Sequence, residues 1–170
     1  PTLVINTTVY AIILEGKIAL YRHETCDKPQ IALHELLHAL GFDHNSNSKS
    51  IMYPITNCNQ ELDDYIIQTI NQLYSIPSRG DLLIEEIDAN KSGSYLSFEV
   101  TVSNYGLKKI DASTLALIVE DETIREFDVG EMDIGTKRQL SVKNLRIPRK
   151  TEKILFKAKT SQEELSKENN

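Results

Sequence analysis

The sequence has no tryptophan, and its 170 residues include only two cysteines and two methionines. Acidic residues outnumber basic ones by 25 to 19, which gives a net charge of −6 without any basic cluster. This balance argues against nucleic acid or an anionic membrane as a partner. The longest uninterrupted apolar run, Val9 to Leu14, has six residues. It is far too short for a membrane-spanning helix, which needs about 20.

The composition nevertheless allows real hydrophobic cores, because 40% of the residues are apolar. This length and composition suit one domain or two small ones. The sequence begins at Pro1 without an initiator methionine, so we expect a mature product or an excised fragment.

Three of the four histidines fall within the eleven residues from His34 to His44. On a helix, His34 and His38 are four residues apart and project from one face. This spacing allows two nitrogen ligands to bind one zinc ion. Gly41 lies where the helix would end, in the left-handed conformation that glycine adopts without strain. The chain can then turn back and present His44 as a third ligand. Three protein ligands leave the fourth position open for water, as in catalytic zinc sites.

Glu35 follows the first of these histidines directly. On a helix its carboxylate would face the open coordination position, where it could take a proton from a zinc-bound water and pass it to a leaving amine. The alternative is a buried helix whose histidines are incidental. The full spacing with Gly41 and a third histidine is much more demanding than two histidines four apart, and it favours the metal site.

The run from His34 to His44 resembles the zinc-binding signature of the metzincin metallopeptidases, and matrixins are the most similar subgroup. Residues 50–54 (Ser-Ile-Met-Tyr-Pro) resemble the Met-turn, the hydrophobic floor below the metal, to which Met52 contributes. Residues 62–74 are similar to the closing helix of that family. The resemblance implies that His34, His38 and His44 bind Zn²⁺ and that Glu35 is the general base.

Tyr53 directly follows Met52, as in matrixins. Subgroups that use a Met-turn tyrosine as a further ligand place it one residue later, so we do not assign Tyr53 to the metal. His23 stands apart from the cluster, and we interpret it as a surface residue and not as a substrate contact.

The remaining elements of the first module are predicted from local patterns. Val9–Leu14 and Lys17–Tyr21 are predicted to be strands that turn at Glu15-Gly16. By resemblance, these runs would be the edge strand, which binds an extended peptide, and its neighbour. The family normally has further strands and a helix upstream, whereas only Pro1–Thr8 precede this hairpin, so an abbreviated catalytic module is expected.

The active-site helix is predicted over Gln30–Leu40, with Asp27 or Lys28 at the cap and Pro29 in the first turn. Its nearly continuous apolar surface predicts burial. The last helix is predicted to begin at Asn57–Asn59 and to end near Tyr74. Its apolar stripe consists of Leu62, Ile66, Ile70 and Leu73. Residues 55–60 would form one wall of the pocket for the residue after the scissile bond.

Cys26 and Cys58 lie before the active-site helix and after the Met-turn. We expect a disulfide that links the two walls of the cleft. The chain-entropy relation predicts that such a disulfide stabilises the fold by about 3.5 to 4 kcal/mol. Two free buried thiols are the alternative. A disulfide would indicate a location outside the reducing cytosol.

Residues 75–80 carry the turn and breaker residues of a linker, and beyond them the hydrophobic period changes to two. In residues 96–103, apolar side chains alternate with Ser, Glu and Thr, which predicts a half-buried strand. Further strands are predicted at Leu82–Asp88, Leu115–Val119, Thr123–Val129, Gln139–Leu145 and Lys153–Lys159. Short strands at this spacing indicate a β-sandwich.

The runs 81–84 and 100–106 also resemble the immunoglobulin-like CARDB adhesion-related family. The acidic residues Asp121, Glu122, Asp128, Glu131 and Asp133 could suggest calcium, but we interpret them as a solvated face. Residues 161–170 are polar and charged and are predicted to be a disordered tail.

The sequence therefore predicts an α+β chain in three parts. Residues 1–76 form a truncated metzincin-like module, consisting of a β-hairpin, the active-site helix, the Met-turn and a C-terminal helix. Residues 81–160 form an all-β immunoglobulin-like sandwich, whose partner is unknown, and residues 161–170 form the tail. The predicted function is that of an extracellular or cell-surface zinc endopeptidase acting on peptides or proteins. The alternative is a non-catalytic binding or adhesion protein with a vestigial zinc site.

Overall fold

The structure, a computed structural model, describes residues 3–7, 10–21, 23 and 25–166. The chain divides into two compact units. One comprises Pro1–Ile5 and Ala11–Ile76, and the other comprises Asn6–Tyr10 and Pro77–Asn170. Among the described residues, neither helix has the length and apolar character that crossing a lipid bilayer requires.

The first unit begins with a two-stranded sheet of β1 (Leu3–Asn6) and β2 (Ala11–Glu15). The predicted hairpin of Val9–Leu14 and Lys17–Tyr21 is therefore wrong in its second strand, since residues 16–21 have no regular secondary structure. Val9 lies outside the described residues. A Cβ placed on Gly16 would lie only 3.1 Å from the Cβ of Ala39. The chain thus leaves the sheet at Gly16 by passing close to a helix, where a turn back into the sheet was predicted.

Helix α1 spans Gln30–Ala39, and Pro29 is its N-cap. The predicted cap at Asp27 or Lys28 is wrong by one or two positions, because the amide of Leu33 already donates to the carbonyl of Pro29 at 3.0 Å. At the other end, Gly41 has a φ of +90°. Its amide donates to the carbonyl of His38 at 3.0 Å, and the amide of Phe42 donates to that of Leu37 at 3.0 Å. These two bonds form a Schellman motif, which ends the helix and reverses the chain.

Helix α2 spans Asp64–Ser75, with Asp63 as its N-cap. The predicted start at Asn57–Asn59 is wrong, because polar side chains there bond to nearby backbone amides. The side chain of Asn57 accepts from the amide of Asn59 at 3.0 Å, and that of Gln60 accepts from the amide of Asn57 at 3.0 Å. Such local bonds compete with helix formation.

The core of the first unit lies between the two helices and the Met-turn. It contains Leu37, Ile51, Met52 and Ile66, with Leu33, Leu40, Phe42 and Ile70 packed against it. Two residues of the apolar stripe that was predicted for the last helix are not buried in this core. Leu62 is 43% exposed and Leu73 is 56% exposed.

The second unit contains six strands within the described residues. They are β3 (Leu82–Ser92), β4 (Tyr95–Asn104), β5 (Ile110–Val119), β6 (Glu122–Met132), β7 (Lys137–Arg146) and β8 (Ile154–Lys159). They form two antiparallel sheets, in the orders β3-β4-β7 and β6-β5-β8. Both sheets contribute to one core, in which Phe98 packs against Phe127 and Phe156. The unit is thus a β-sandwich around a shared apolar layer.

A tight turn and a cluster of polar side chains support this sandwich. Glu120 and Asp121 have φ values of 51° and 68°, as a two-residue hairpin turn between β5 and β6 requires. Glu85 on β3 accepts from Lys137 Nζ at 2.8 Å and from the hydroxyl of Tyr105. The bond from Lys137 lowers the pKa of Glu85, and the bond to Glu85 raises the pKa of Lys137 to about 12.

Residues 161–166 lie against the start of β3, which differs from the disordered tail predicted for residues 161–170. Glu164 forms a bridge with Gly80, and its carboxylate accepts from the amide of Leu82 at 3.1 Å. The amide of Leu165 donates to the carbonyl of Gly80 at 3.0 Å. A polar sequence can therefore be fixed by backbone pairing. Residues 167–170 lie outside the described part of the chain.

Candidate metal centre and cleft

Three imidazoles of the first unit converge on one point. The Nε2 atoms of His34 and His38 are 3.1 Å apart, those of His34 and His44 are 3.2 Å apart, and those of His38 and His44 are 3.0 Å apart. Helix α1 supplies the first two side chains at the predicted spacing of four residues. The turn at Gly41 brings the third into the same group. Among the described residues, this is the group of histidine, cysteine and acidic side chains whose ligand atoms could hold a metal ion.

Backbone carbonyls orient two of the three rings. Nδ1 of His34 donates to the carbonyl of Ile51 at 2.6 Å, and Nδ1 of His38 donates to the carbonyl of Phe42 at 2.8 Å. Because a carbonyl can only accept, both rings carry their proton on Nδ1 in the neutral form. Their Nε2 lone pairs therefore face each other, which a cation between them would stabilise. Bonds of this type are the usual second layer of a histidine metal site.

The donor set fits zinc. Two nitrogens that each lie about 2.0–2.1 Å from a tetrahedral zinc ion are about 3.3–3.4 Å apart. The observed separations of 3.0–3.2 Å are close to this value. His34 is 5% exposed, whereas His44 is exposed, so the centre is anchored on the buried side and reachable from the other. Such a three-histidine set with an accessible side is typical of catalytic zinc.

The Met-turn is held by a polar network that sequence reasoning did not find. The fully buried hydroxyl of Ser50 donates to the carboxylate of Asp63. It also accepts from the amide of Met52 at 3.0 Å and from the side chain of Asn45 at 2.8 Å. The next residue, Ile51, supplies the carbonyl that orients His34. Asp63 thus fixes, through Ser50, the turn on which a candidate ligand depends. The Ser two residues before Met52 was visible in the sequence, but its partner was not.

The three histidines open onto a cleft of about 700 Å³. Glu35 lines this cleft beside them and is not part of the three-histidine group. Ala19, Leu20 and Tyr21 also line it, and Leu20 and Tyr21 are 54% and 92% exposed. Within the described residues, this segment belongs to no helix or strand.

Residues 54–58 also line the cleft, and two cross-links join them to the start of α1. One is a disulfide between Cys26 and Cys58, whose Cα atoms are 5.2 Å apart. The other is Gln30, whose side chain donates to the carbonyls of Gln60 and Cys58 at 2.9 and 3.3 Å. The disulfide was expected from the sequence. The glutamine was missed, although a polar residue one turn before His34 on an apolar helix was a usable signal.

The other residues singled out in the sequence lie apart from this group. His23 is exposed and is not part of it. In the second unit, the side chain of Lys153 pairs with that of Asp121 at 2.7 Å, and Lys109 pairs with Glu131 at 2.7 Å. These exposed carboxylates are neutralised by lysines, which fits the interpretation as a solvated face.

Comparison with known families agrees with this division of the chain. The candidate centre consists of His34 and His38 on α1 and His44 after the turn at Gly41, with Glu35 beside them in the cleft. Residues 15–75, which include the whole centre, match the model of the Matrixin family. Residues 79–170, more than half of the chain, match the model of the CARDB family, so the chain belongs to that family. Both resemblances seen in the sequence are thus confirmed. No curated protein and no solved structure matches the chain.

Proposed function

We propose that the first unit is a zinc-dependent endopeptidase. The observation that carries this proposal is the convergence of three histidine Nε2 atoms within 3.0–3.2 Å of one another, beside Glu35 in an open cleft. The match to the Matrixin family over residues 15–75 supports the same class of enzyme.

In this proposal, His34, His38 and His44 hold the zinc ion and Glu35 moves the proton. The chemistry that zinc supplies when bound is Lewis acidity, which polarises the scissile carbonyl and makes water acidic enough to lose a proton near neutral pH. Glu35 accepts that proton from the attacking water and then delivers it to the leaving amine. The carbonyls of Ile51 and Phe42 keep the rings of His34 and His38 in one tautomer throughout.

The substrate is an extended peptide that lies between two sides of the cleft. Residues 19–21 line one side of the cleft and bind the peptide by adding it as a strand. Residues 54–58 form the other side and receive the side chain that follows the scissile bond. The disulfide supports a location outside the reducing cytosol, at the cell surface or beyond.

A second function is supported by the CARDB match, which covers more of the chain than the Matrixin match. In that case the β-sandwich is the working part, and the protein is a binding or adhesion protein whose metal centre performs no catalysis. Glu35 argues against this function, because a centre that only binds metal has no need of a carboxylate beside its open position.

Metal analysis and a cleavage assay separate the two functions. Wild-type protein, Glu35→Ala and the control Glu61→Ala, whose exposed side chain lies outside the cleft, are each measured for zinc and for cleavage of an unfolded protein. All three are expected to bind one zinc per chain. Wild type and Glu61→Ala should cleave the substrate. The cleavage rate of Glu35→Ala should be lower by about 10²–10⁴-fold, the usual contribution of general acid–base assistance. A wild type that binds zinc but cleaves nothing would favour the binding protein.

A further inference from the structure

Two glutamine side chains are buried next to the cleft. Gln30 and Gln60 are each 2% exposed. An amide is costly to bury unless it is hydrogen-bonded. Leucine or methionine would fill such positions without that cost. The contacts of these two amides therefore indicate what they do for the site.

Gln60 closes the loop that forms one side of the cleft. Its Oε1 accepts from the amide of Asn57 at 3.0 Å, and its Nε2 donates to the carbonyl of Ile55 at 2.9 Å. The backbone amide of Gln60 also donates to the backbone carbonyl of Asn57 at 3.4 Å. One side chain thus bonds to the backbone at two points, Ile55 and Asn57, of the segment that lines the cleft. We refer to residues 54–60 as the wall.

Gln30 ties this wall to the helix that carries the metal centre. It is the first residue of α1 and lies four positions, or about one turn, before His34. Its Nε2 donates to the carbonyls of Gln60 and Cys58 at 2.9 and 3.3 Å. Ile31, the next residue of the helix, lines the cleft together with Ile55. Loss of the hydrogen bonds from Gln30 to the wall would therefore change the distance between the side chains of Ile31 and Ile55.

We infer that Gln30 and Gln60 are positioning residues that set the distance of the wall from the metal centre, and so determine the size of substrate side chain that the cleft accepts. The inference rests on the proposed peptidase function. Ile55 is 71% exposed on the wall, so its contact with a substrate depends on where the loop is held. The disulfide restrains the wall at Cys58. The two glutamine side chains hold its backbone at Ile55, Asn57, Cys58 and Gln60.

A purely structural role predicts a different result. If the glutamines only stabilised the fold, their loss would lower the active fraction and reduce kcat equally for every substrate. If they position the wall, the loss should appear in KM for substrates with a large side chain at that position. Interactions made equally in the ground state and the transition state change KM and not kcat.

The test uses full-length zinc-loaded protein and two peptides built on a cleavage site mapped in an unfolded protein. The peptides differ only after the scissile bond, with Leu in one and Ala in the other. Gln30→Met and Gln60→Met keep the side-chain volume and remove the hydrogen bonds. Gln68→Met, at an exposed position of α2, is the matched control. Zinc content and an intact disulfide establish that each variant is folded.

We expect the preference for Leu over Ala to fall about tenfold in either buried variant, at the lower end of what apolar pockets discriminate. The loss should appear in KM for the Leu peptide, and the preference should be unaltered in Gln68→Met. An unaltered preference in folded buried variants would overturn the inference and leave the peptidase intact. A wild type inactive on every substrate would overturn the peptidase proposal and the inference with it.

Hydrogen exchange on the wild-type protein provides a measurement that depends neither on activity nor on the variants. The amide of Asn57 donates to the buried side chain of Gln60, so it should exchange slowly, unlike the amides of an open loop. Rapid exchange at Asn57 would show that the wall is not closed and would overturn the inference.

Discussion

Removal of the disulfide between Cys26 and Cys58 should destabilise the first unit strongly. The two cysteines are 32 residues apart, and the loop that they close contains α1, all three clustered histidines and the Met-turn. Replacing both with serine frees this loop in the unfolded chain without changing the buried contacts of Leu37, Met52 and Ile66. The effect should therefore be mainly on the entropy of the unfolded state.

The magnitude follows from the loop length. For a loop of this size, the chain-entropy relation gives about 3.7 kcal/mol at 25 °C. A unit of some 70 residues is expected to have a total stability of about 4–10 kcal/mol, from the usual value per residue. The bridge should thus account for a large part of the stability of the unit, and the double variant should be only marginally folded without metal.

Urea unfolding followed by helical circular dichroism measures this effect. Within the described residues both helices lie in the first unit, so the helical signal reports on that unit. With a chelator present, Cys26→Ser/Cys58→Ser should unfold at least about 1 M urea below the oxidised wild type, given an m-value of about 1–3 kcal/mol/M. Reduced wild type should behave like the variant. Equal midpoints for the oxidised wild type and the variant would refute the reasoning.

Three further predictions concern single residues. Gly41→Ala should destabilise the first unit by about 1–2 kcal/mol in thermal unfolding, because Gly41 has a φ of +90° that a Cβ disfavours. Ser50→Ala should lower the free energy of unfolding in urea by about 1–3 kcal/mol. The carboxylate of Asp63 and the backbone amide of Met52 both lose a hydrogen bond with the Ser50 hydroxyl. Glu85→Gln should weaken the β-sandwich at neutral pH but much less in acid. Because Lys137 lowers the pKa of Glu85 below its ordinary value of 4.5, the stabilisation is present above pH 4.5 and is lost as the pH falls through the folded pKa. The difference in unfolding free energy between Glu85→Gln and wild type should therefore shrink below that pH, and a constant difference would contradict the assignment.

The sequence predicted those features whose geometry is local. The spacing of His34, His38 and His44 places three rings together once α1 ends at Gly41, since helix pitch and a left-handed turn decide the outcome. In the second unit, the alternation of residues 96–103 appears as β4, with Phe98, Val100 and Val102 in the core. A period of two requires one buried face, whichever partner strand covers it.

Features that depend on distant partners were not predictable in this way. The chain leaves its sheet at Gly16 because Ala39 lies close to it, and no local pattern in residues 16–21 indicates that contact. Residues 161–166 are as polar as a disordered tail, yet they pair with Gly80, more than 80 positions earlier in the sequence. Gln30 stands out locally as a polar residue on an apolar helix, but its partners, the carbonyls of Cys58 and Gln60, lie 28 and 30 positions later in the sequence.

X-ray absorption at the zinc edge of the purified protein tests the central claim most directly. The proposed centre predicts one zinc per chain, surrounded by three imidazole nitrogens and one oxygen at about 2.0–2.2 Å. His38→Ala, which removes one of the three converging rings, should contain little or no zinc, whereas Glu35→Ala should give the wild-type spectrum. A spectrum with sulfur at about 2.3 Å, an unchanged zinc content in His38→Ala, or a wild type that binds no zinc would contradict the account.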